Sequence, residues 1–416
     1  EIRQNRADCL SVIGLAREVA AYFGLKVAVP AVSPVVESGE PLNIQIEAKD
    51  EVKRVLAVKL DGAKNGPSPE WLQEYVAFYG LNSVNLLVDL SNYVMLFTGY
   101  PSHLIDFKKL SGNLRWSLNR DFDEVTTLFG TTLKLQKDTG IIIRDDENIV
   151  ALAGIVGGQA AAIDEQTDSF IAEIAIYDRT VIRKNSRSLN VVTEASHRLE
   201  KDLDPNGADY AMNLLISLIF QYAGGQVASA LFNYYPQKQI APAIKLDPTL
   251  PEKFAGVEIS EKDILKIFKN LDFAVEKKSG HWLVTPPTAR MDLALPEDLI
   301  EEAVRVYGYD KIPTNEIPKL EIVPDITPKN IILEEKIRDI LSSLGFDEIL
   351  SWPLTQPGGN AKVNYLDWQE VSTQNSVNDL FPDLRQSTAT GLMNQLGEYE
   401  KKNVEFIDIF EIGKVF

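Results

Sequence analysis

Three clusters of proline residues constrain what this chain can fold into more than any other feature. They comprise Pro30, Pro34 and Pro41; Pro236, Pro242, Pro248 and Pro251; and Pro313, Pro318, Pro324 and Pro328. Proline locks its own backbone and donates no hydrogen bond, so such stretches resist both helices and central strands. The clusters therefore predict linkers that separate a short opening segment, a longer body, a third segment and a C-terminal segment.

Apolar residues in the body follow two different periods. Residues 42–46 alternate between apolar and polar, and residues 170–176 are apolar except at Glu173, so both stretches are predicted to be strands. Residues 71–79 and 208–222 have the spacing of helices. The body is therefore predicted to be mixed α and β, and the whole chain to be an α+β multidomain protein.

The later segments also contain recognisable elements. The third segment is predicted to form a helix over 260–271, a hairpin that turns at 278–280 and a second helix over 297–307. The C-terminal segment is predicted to open with a helix that has Pro328 at its first position. Residues 193–198 are polar and are predicted to be a loop.

Charge and cysteine content exclude several classes of protein. The 42 lysines and arginines against 60 acids give a formal net charge of −18, so binding of nucleic acid by bulk electrostatics is unfavourable. Cys9 is the only cysteine, which excludes an intramolecular disulfide and a cysteine-based zinc site and fits a reducing cytoplasm. No apolar run reaches the ~18–20 residues of a membrane span. Because no methionine begins the chain, we expect a fragment or a processed chain.

Motifs of the common catalytic classes are scarce. The three histidines, His103, His197 and His281, lie in neither a nucleophile elbow nor a His-Glu-x-x-His motif. The sequence also lacks a P-loop and a dinucleotide-binding glycine fingerprint. ATPase and dehydrogenase functions therefore have no local support.

The densest chemical signal is acidic. Asp298, Glu301 and Glu302 stand at positions i, i+3 and i+4 of a predicted helix, so they share one face, and Asp292 lies shortly upstream. Such carboxylates repel each other unless a cation neutralises them. Mg²⁺ prefers hard oxygen ligands of this kind, but a neighbouring base such as Arg305, or plain solvation of the face, explains the same pattern. The spacing alone leaves these interpretations open.

Three features of the body are candidates for a small-molecule site. Ser91 and Asn92 precede His103 by a short interval, although a structural histidine explains the same pattern. The glycines within residues 153–158 permit either a tight turn or the close approach of a ligand. Glu173 stands alone in an apolar strand, where a buried carboxylate needs a partner.

Several motifs occur together and in a recognisable order. They are Val88-Asp89-Leu90-Ser91-Asn92-Tyr93-Val94-Met95 with Pro101-Ser102-His103; residues 153–158; Glu173 with Thr193-Glu194-Ala195-Ser196-His197-Arg198; Arg290-Met291-Asp292 with Asp298-Leu299-Ile300-Glu301-Glu302; and Phe410-Glu411-Ile412-Gly413. In this order they resemble the β subunit of bacterial-type phenylalanine–tRNA ligase (phenylalanyl-tRNA synthetase). Each motif is weak by itself, but the set covers nearly the whole chain and is specific.

The resemblance implies a pocket that hydrolyses tyrosine wrongly attached to the phenylalanine tRNA. An apolar pocket cannot strongly reject a substrate that merely adds a hydroxyl, so a second, hydrolytic site is the remedy. By position, the catalytic residues would be His103, Asn92 and Glu173, with Glu173 accepting a hydrogen bond from the phenol. The other residues of the implied editing pocket are Ser91, Gly157, Gly158, Thr193 and Ala195.

The resemblance also implies a metal ion and a partner. Mg²⁺ would lie at the interface with an α subunit, and its implied ligands are Asp292, Asp298, Glu301 and Glu302. Activation of the amino acid with ATP belongs to that α subunit, so this chain would carry editing and no activation. The expected assembly is a cytoplasmic heterotetramer of two α and two β subunits that binds tRNA(Phe).

Four domains follow from the resemblance. They are a remnant before the editing domain at 1–38, the editing domain at 39–236, a small winged-helix-like domain with the acidic residues at 244–315, and the start of a class II catalytic-like antiparallel fold at 318–416. We expect the chain to lack both ends of the family's β subunit. The alternative is a structural subunit with an inactive pocket, which hydrolysis of a mischarged tRNA would distinguish. The acidic residues argue against a third class, a DNA-binding module.

Overall fold

The fold divides into two compact units, Glu1–Thr314 and Asn315–Phe416. The computed structural model describes residues 2–36, 38–138, 140–312, 326–363 and 368–416. The predicted linker prolines Pro313, Pro318 and Pro324, and the predicted domain limits at 315 and 318, lie outside the described residues. Among the residues described, no helix combines the length and the apolar character that crossing a membrane requires.

The first unit is mixed α and β, as predicted. Its helices are α1 (Val12–Phe23), α2 (Glu70–Phe78), α3 (Leu86–Thr98), α4 (Arg179–Ser188), α5 (Glu194–Leu199), α6 (Ala208–Tyr222), α7 (Leu250–Ala255), α8 (Glu261–Asn270) and α9 (Pro296–Tyr307). Its strands are β1 (Ile44–Ile46), β2 (Val52–Asp61), β3 (His103–Asp106), β4 (Leu114–Leu118), β5 (Glu124–Thr126), β6 (Thr132–Lys134), β7 (Ile141–Arg144), β8 (Ile149–Leu152), β9 (Val156–Gly157), β10 (Ser169–Tyr177), β11 (Gln226–Val227), β12 (Phe232–Tyr234), β13 (Ile244–Leu246), β14 (Ala274–Lys278) and β15 (His281–Thr285).

A sheet in the order β11-β2-β10-β3 lies at the centre of this unit, and β12 also pairs with β2. Strand β10 runs antiparallel to both β2 and β3, and all of its residues are buried. Burial on both faces explains why the sequence here is a continuous apolar run and not an alternation.

The two faces of β10 pack against different layers, because successive side chains of a strand point to opposite sides. Phe170, Ala172 and Ile174 belong to the core that contains helices α2, α3 and α6. Ile171 and Ala175 belong to a second core, shared with the sheet β1-β4-β7-β8-β9. The central sheet is therefore covered by helices on one face and by a second sheet on the other.

The third segment forms a three-stranded sheet in the order β13-β15-β14, packed with helices α8 and α9. The predicted hairpin is confirmed, since β14 and β15 pair from Lys278 and His281 outward. Its second helix also occurs where predicted, as α9. The more specific winged-helix description stays a prediction.

The second unit has helices α10 (Lys329–Ser343) and α11 (Ala389–Lys401) and strands β16 (Asp347–Glu348), β17 (Leu354–Thr355), β18 (Asp383–Leu384) and β19 (Ile409–Phe410). Strand β16 pairs with β19 in parallel, whereas β17 pairs with β18 antiparallel. The catalytic-like antiparallel fold therefore stays a prediction for this unit.

Two local predictions were wrong. Residues 193–198 are not a loop, because α5 begins there. The side chain of Thr193 accepts a hydrogen bond from Ser196 N, and Ser196 Oγ accepts one from Thr193 N, so a reciprocal capping box starts a helix in a polar stretch. Pro328 is the residue that caps α10, and the helix starts one residue later than predicted.

Candidate functional site

Strands β3 and β10 bring His103 and Glu173 together. The two residues are direct partners in the antiparallel ladder, and such partners point to the same face with Cβ atoms about 4.5–5.5 Å apart. Ile105 and Ile171, their neighbours on that face, belong to the core shared with the second sheet. The pair therefore lies between the two sheets.

Glu173 is a carboxyl group buried among apolar neighbours, with 4% of the residue exposed. Burial disfavours its charged form and raises the pKa of Glu173 to about 8, although a hydrogen bond from Tyr177 opposes the shift. In the free protein at neutral pH the carboxyl is therefore mostly protonated. The expectation that Glu173 accepts a hydrogen bond from the phenol stays a prediction.

Two buried aromatic residues lie behind Glu173. The hydroxyl of Tyr177 donates a hydrogen bond to Glu173 Oε1 over 3.4 Å, and it accepts one from Trp116 Nε1 over 3.1 Å. Trp116 lies on β4 of the second sheet, so the three side chains link both sheets. Among the described residues, Tyr177 is the only hydrogen-bond partner of the Glu173 carboxyl.

His103 is half-buried, and its Nδ1 atom is shut off from solvent without a hydrogen-bond partner among the described residues. Burial lowers the pKa of His103 to about 4, so the ring is neutral at pH 7. A ring with so low a pKa is a weak proton acceptor, but it still offers one donor and one acceptor nitrogen.

Gly157 provides the space beside His103. A Cβ atom at this position would lie 2.9 Å from His103 Nε2 and 2.6 Å from Leu128 Cδ1, closer than real contacts allow. At Gly158 a Cβ atom would meet backbone instead, 2.7 Å from Ile149 O. The absence of a side chain at Gly157 therefore lets the side chains of His103 and Leu128 lie close to the backbone. At Gly158 it lets β8 and β9 pack closely.

Helix α3 is tied to the site through Ser91. Its Oγ atom lies 2.7 Å from Ser102 Oγ and donates to Ser102 O over 3.2 Å, which anchors the residue before His103. Asn92 follows on the same helix and is half-buried. Of this predicted polar pair, Ser91 is thus the one that the structure connects to the site by hydrogen bonds.

Helix α5 is tied to the site through Thr193. Its Oγ1 atom donates to Ile155 O over 2.7 Å, in the turn that leads into β9 and Gly157. Ala195 lies half-buried in the first turn of the same helix. The contacts therefore connect the elements that carry all eight predicted pocket residues.

The chemistry available here suits a neutral polar ligand. Two ionisable groups are mostly uncharged at pH 7 and sit against an apolar interface between sheets. Together they supply hydrogen-bond donors and acceptors without a net charge. Perturbed pKa values in such a place are typical of functional sites.

The four implied metal ligands are not brought together in this structure. Asp298 Oδ2 accepts hydrogen bonds from the backbone N atoms of Ala294 and Leu295, both over 2.8 Å, and so caps α9. Glu301 is exposed on the same helix. Among the described residues, the close group of potential metal ligands is Asp8, Cys9 and Glu18, which includes none of the four.

Arginines occupy the other two carboxylates. Arg290 makes a bidentate pair with Asp292 over 2.9 Å and contacts Glu302 over 2.5 Å, and Arg305 contacts Glu302 over 2.8 Å. Burial would raise the pKa of Glu302, but the two arginines outweigh it and lower the pKa to about 2. The carboxylates present in this chain therefore do not fit a preformed Mg²⁺ site, and the metal stays a prediction for the assembled enzyme.

A cavity of about 380 Å³ lies apart from the candidate site. It is lined by parts of the opening segment, of residues 202–207 and of the third segment, with Arg17 and Tyr100 on its wall. None of the twelve predicted site residues lines it. The sequence therefore did not predict this cavity as a binding site.

Comparison with known proteins identifies the family. Three family models match consecutive parts of the chain: a B3/4 domain over residues 51–224, a tRNA synthetase B5 domain over 244–309, and a phenylalanyl tRNA synthetase beta chain CLM domain over 312–416. Curated phenylalanine–tRNA ligase beta subunits from Fusobacterium nucleatum and Clostridium acetobutylicum are each 33% identical over 100% of this chain. The chain belongs to the phenylalanine–tRNA ligase β-subunit family.

The match to the family covers only part of its members. The chain spans 52% of the Fusobacterium protein and 53% of the Clostridium protein, about half their length. The beta subunit from Geobacter sulfurreducens is 34% identical over 99% of this chain and 52% of its own length. A solved N-terminal fragment of the phenylalanyl-tRNA synthetase beta-subunit from Pyrococcus horikoshii gives a TM-score of 0.39 at 15% identity, covering 74% of this chain and 85% of that chain.

Four residues at the candidate pocket and at the implied metal site of this β-subunit family member were given no role from the sequence: Tyr177, Arg290, Trp116 and Leu128. Tyr177 stands four positions after Glu173 on one strand, so the period of two could have placed both on one face. Arg290 precedes Asp292 closely and was visible as a counter-charge. Trp116 and Leu128 carry no local signal, because only the packing of separate strands brings them to the site.

Proposed function

We propose that the chain forms part of the β subunit of a phenylalanyl-tRNA synthetase and that its site around His103 and Glu173 removes tyrosine from mischarged tRNA(Phe). The observation that carries the proposal is the register pairing of the buried Glu173 with the half-buried His103, both of them uncharged at neutral pH. The family membership supports the same assignment.

Glu173 distinguishes the two amino acids through the phenol. When tyrosine binds, its hydroxyl pairs with the buried carboxyl, whether that group is protonated or ionised. When phenylalanine binds, the carboxyl, which is already buried, gains no partner, so this complex lacks a hydrogen bond worth about 0.5–1.5 kcal/mol between uncharged groups. A site built to pair a hydroxyl therefore disfavours the analogue that lacks it.

His103 positions the ester or the attacking water. Its pKa of about 4 makes it too weak a base to take a proton efficiently at neutral pH. Its Nε2 atom, which unlike Nδ1 is not shut off from solvent, instead holds the water or the ester oxygen by a hydrogen bond, in the space that Gly157 leaves open beside it. Water adds across the ester bond and releases tyrosine and free tRNA.

The proposal includes the partners of the family. An α subunit activates phenylalanine with ATP, and the cytoplasmic complex contains two α and two β subunits and binds tRNA(Phe). Helix α10 supports a partner of this kind, because none of its residues is buried. Four of its apolar side chains are exposed, Ile331, Leu333, Ile337 and Ile340, and so is Leu344 directly after it. Mg²⁺ at the subunit interface stays part of this proposal.

Hydrolysis of mischarged tRNA tests the editing function directly. The purified protein is mixed with tyrosyl-tRNA(Phe) and with phenylalanyl-tRNA(Phe), and release of each amino acid is followed over time. We expect the tyrosyl ester to be hydrolysed faster. If the protein still binds the α subunit but hydrolyses neither ester, it is a structural subunit with an inactive pocket.

A further inference from the structure

The direction of the hydrogen bonds behind Glu173 is determined by the chemistry of Trp116. An indole N–H is a donor only, so the Tyr177 oxygen must accept from Trp116 Nε1 at 3.1 Å. The single hydroxyl proton of Tyr177 is then directed toward Glu173 Oε1 at 3.4 Å. The two hydrogen bonds therefore form a chain that donates in one direction, from Trp116 to Tyr177 and from Tyr177 to Glu173; we call this chain the relay.

The relay is held in a rigid part of the fold. Trp116 is 0% exposed and Tyr177 is 2% exposed, and both belong to the core between the two sheets. Each residue comes from a regular strand, β4 and β10 respectively. Side chains locked by packing hold a functional group more accurately than mobile ones do.

We propose that Tyr177, oriented by Trp116, is a positioning residue for Glu173: it occupies Oε1 and thereby assigns Oε2 to the hydroxyl of the substrate. The inference rests on the proposed editing function and adds to it the atom that reads the phenol. Tyr177 itself does not touch the substrate.

The assignment holds in both protonation states of the carboxyl. When Glu173 is ionised, Oε1 accepts from Tyr177 and Oε2 accepts from the phenol. When Glu173 is protonated, its proton sits on Oε2, because Oε1 already accepts a hydrogen bond from Tyr177. Oε2 then donates to the phenol oxygen. The hydrogen bond from Tyr177 also opposes the rise of the Glu173 pKa.

Tyr177→Phe tests the inference with a pH profile. The variant removes one hydroxyl and keeps the ring, so the carboxyl loses its fixed orientation and its donor. We expect the midpoint of the tyrosine-to-phenylalanine hydrolysis ratio to move to higher pH, by roughly one pH unit. We also expect the ratio at pH 7 to fall by about tenfold or less. A merely structural role would slow both esters together and leave the midpoint in place.

Two further variants separate positioning from packing. Trp116→Phe keeps the Tyr177 hydroxyl but frees its direction, so the midpoint should move the same way by a smaller amount. Tyr235→Phe is the control, because it removes a tyrosine hydroxyl that lies away from the site and donates to Asn206 Oδ1 over 3.0 Å. This variant should leave the pH profile unchanged. If Tyr177→Phe fails to fold, Trp116→Phe carries the test.

A spectroscopic titration keeps this inference separable from the proposed function. The C=O stretch of the protonated Glu173 carboxyl, assigned by its loss in Glu173→Gln, is followed against pH in infrared difference spectra. Tyr177→Phe should shift this titration to higher pH even in a protein that hydrolyses nothing. An unshifted titration overturns the positioning role, whereas absent hydrolysis with a shifted titration overturns only the editing function.

Discussion

His103 and Glu173 are direct partners across β3 and β10, and their pKa values move in opposite directions, to about 4 and about 8. Both shifts come from burial, which disfavours charge on either group. At neutral pH the pair therefore presents hydrogen-bonding atoms without a net charge. A neutral phenol suits such a site better than an ion does.

Replacing Glu173 should reduce selectivity for tyrosine. At pH 7 a hydrogen bond between uncharged partners is worth about 0.5–1.5 kcal/mol, so Glu173→Ala should lower the tyrosine-to-phenylalanine hydrolysis ratio roughly two- to tenfold. Above pH 8 the ionised carboxylate binds more strongly, and the loss should grow to one or two powers of ten. Rates for both charged tRNAs across pH check this, with the exposed Glu165→Ala as control. An unchanged ratio would make Glu173 a structural carboxyl.

Replacing His103 should slow both esters alike. The ring holds the ester or the water, which tyrosyl- and phenylalanyl-tRNA share, so His103→Ala should lower both rates by about tenfold or more while their ratio stays constant. Single-turnover hydrolysis measures the two rates. His281→Ala, on β15 of the third segment, is the matched control. A change in the ratio would instead place the ring against the amino-acid side chain.

The buried carboxyl should make folding stability depend on pH. Glu173 has a pKa of about 8 in the folded chain against 4.5 as its ordinary value. Between these values the folded chain keeps a proton that the unfolded chain has lost, so stability falls as pH rises through this window and levels off above 8. Glu173→Gln has no group that titrates at this position. The free energy of unfolding of this variant, relative to that of the wild type, should therefore rise with pH by roughly 1.4 kcal/mol per pH unit, to a few kcal/mol.

Urea unfolding of the wild type and of Glu173→Gln at several pH values measures that difference. His103→Gln should act on the opposite side, because the His103 pKa of about 4 lies below its ordinary value of 6.5 and its contribution is lost as pH falls. A stability difference for Glu173→Gln that stays flat from pH 5 to 9 would contradict burial of the neutral acid.

Two adjacent glycines should respond differently to alanine. In Gly157→Ala the new methyl group meets side-chain atoms of Leu128 and His103, so hydrolysis should fall at least tenfold while the melting temperature stays near that of the wild type. In Gly158→Ala it meets the backbone oxygens of Ile149 and Val150, which cannot give way, so stability should fall by about 1–3 kcal/mol. Thermal melts and tRNA hydrolysis distinguish the two outcomes. Equal effects from both variants would contradict a special role for Gly157.

The acidic residues should bind a metal only in the complex with the α subunit. In this chain Arg290 and Arg305 already neutralise Asp292 and Glu302, so Mn²⁺ should leave the isolated chain unlabelled there. In the assembled enzyme, anomalous scattering from Mn²⁺ should appear beside these carboxylates and be lost in Glu301→Ala. Glu297→Ala, on the same helix and outside the implied ligand set, is the control. Absence of the signal from the complex would refute the metal site.

Much of the secondary structure could be predicted because its causes are local. Helix α6 occurs at the predicted 208–222, and β10 extends the predicted 170–176 by one residue at each end. Residues 193–198 were mispredicted because a capping box of Thr193 and Ser196 outweighed a polar composition. The residue pattern already singled out His103, Glu173 and the glycines of 153–158, whereas Thr193 and Ala195 came from the family resemblance, and all of these roles stay predictions.

The sequence by itself determined the periods, the caps and the types of residue available, since these depend on neighbours a few positions apart. Only the tertiary structure decided that His103 pairs with Glu173, that Trp116 reaches Tyr177, and that Arg290 takes the carboxylate of Glu302. Register and burial depend on contacts between residues far apart in the chain. Those contacts decide which carboxyl stays neutral in an apolar layer and which is ionised beside an arginine.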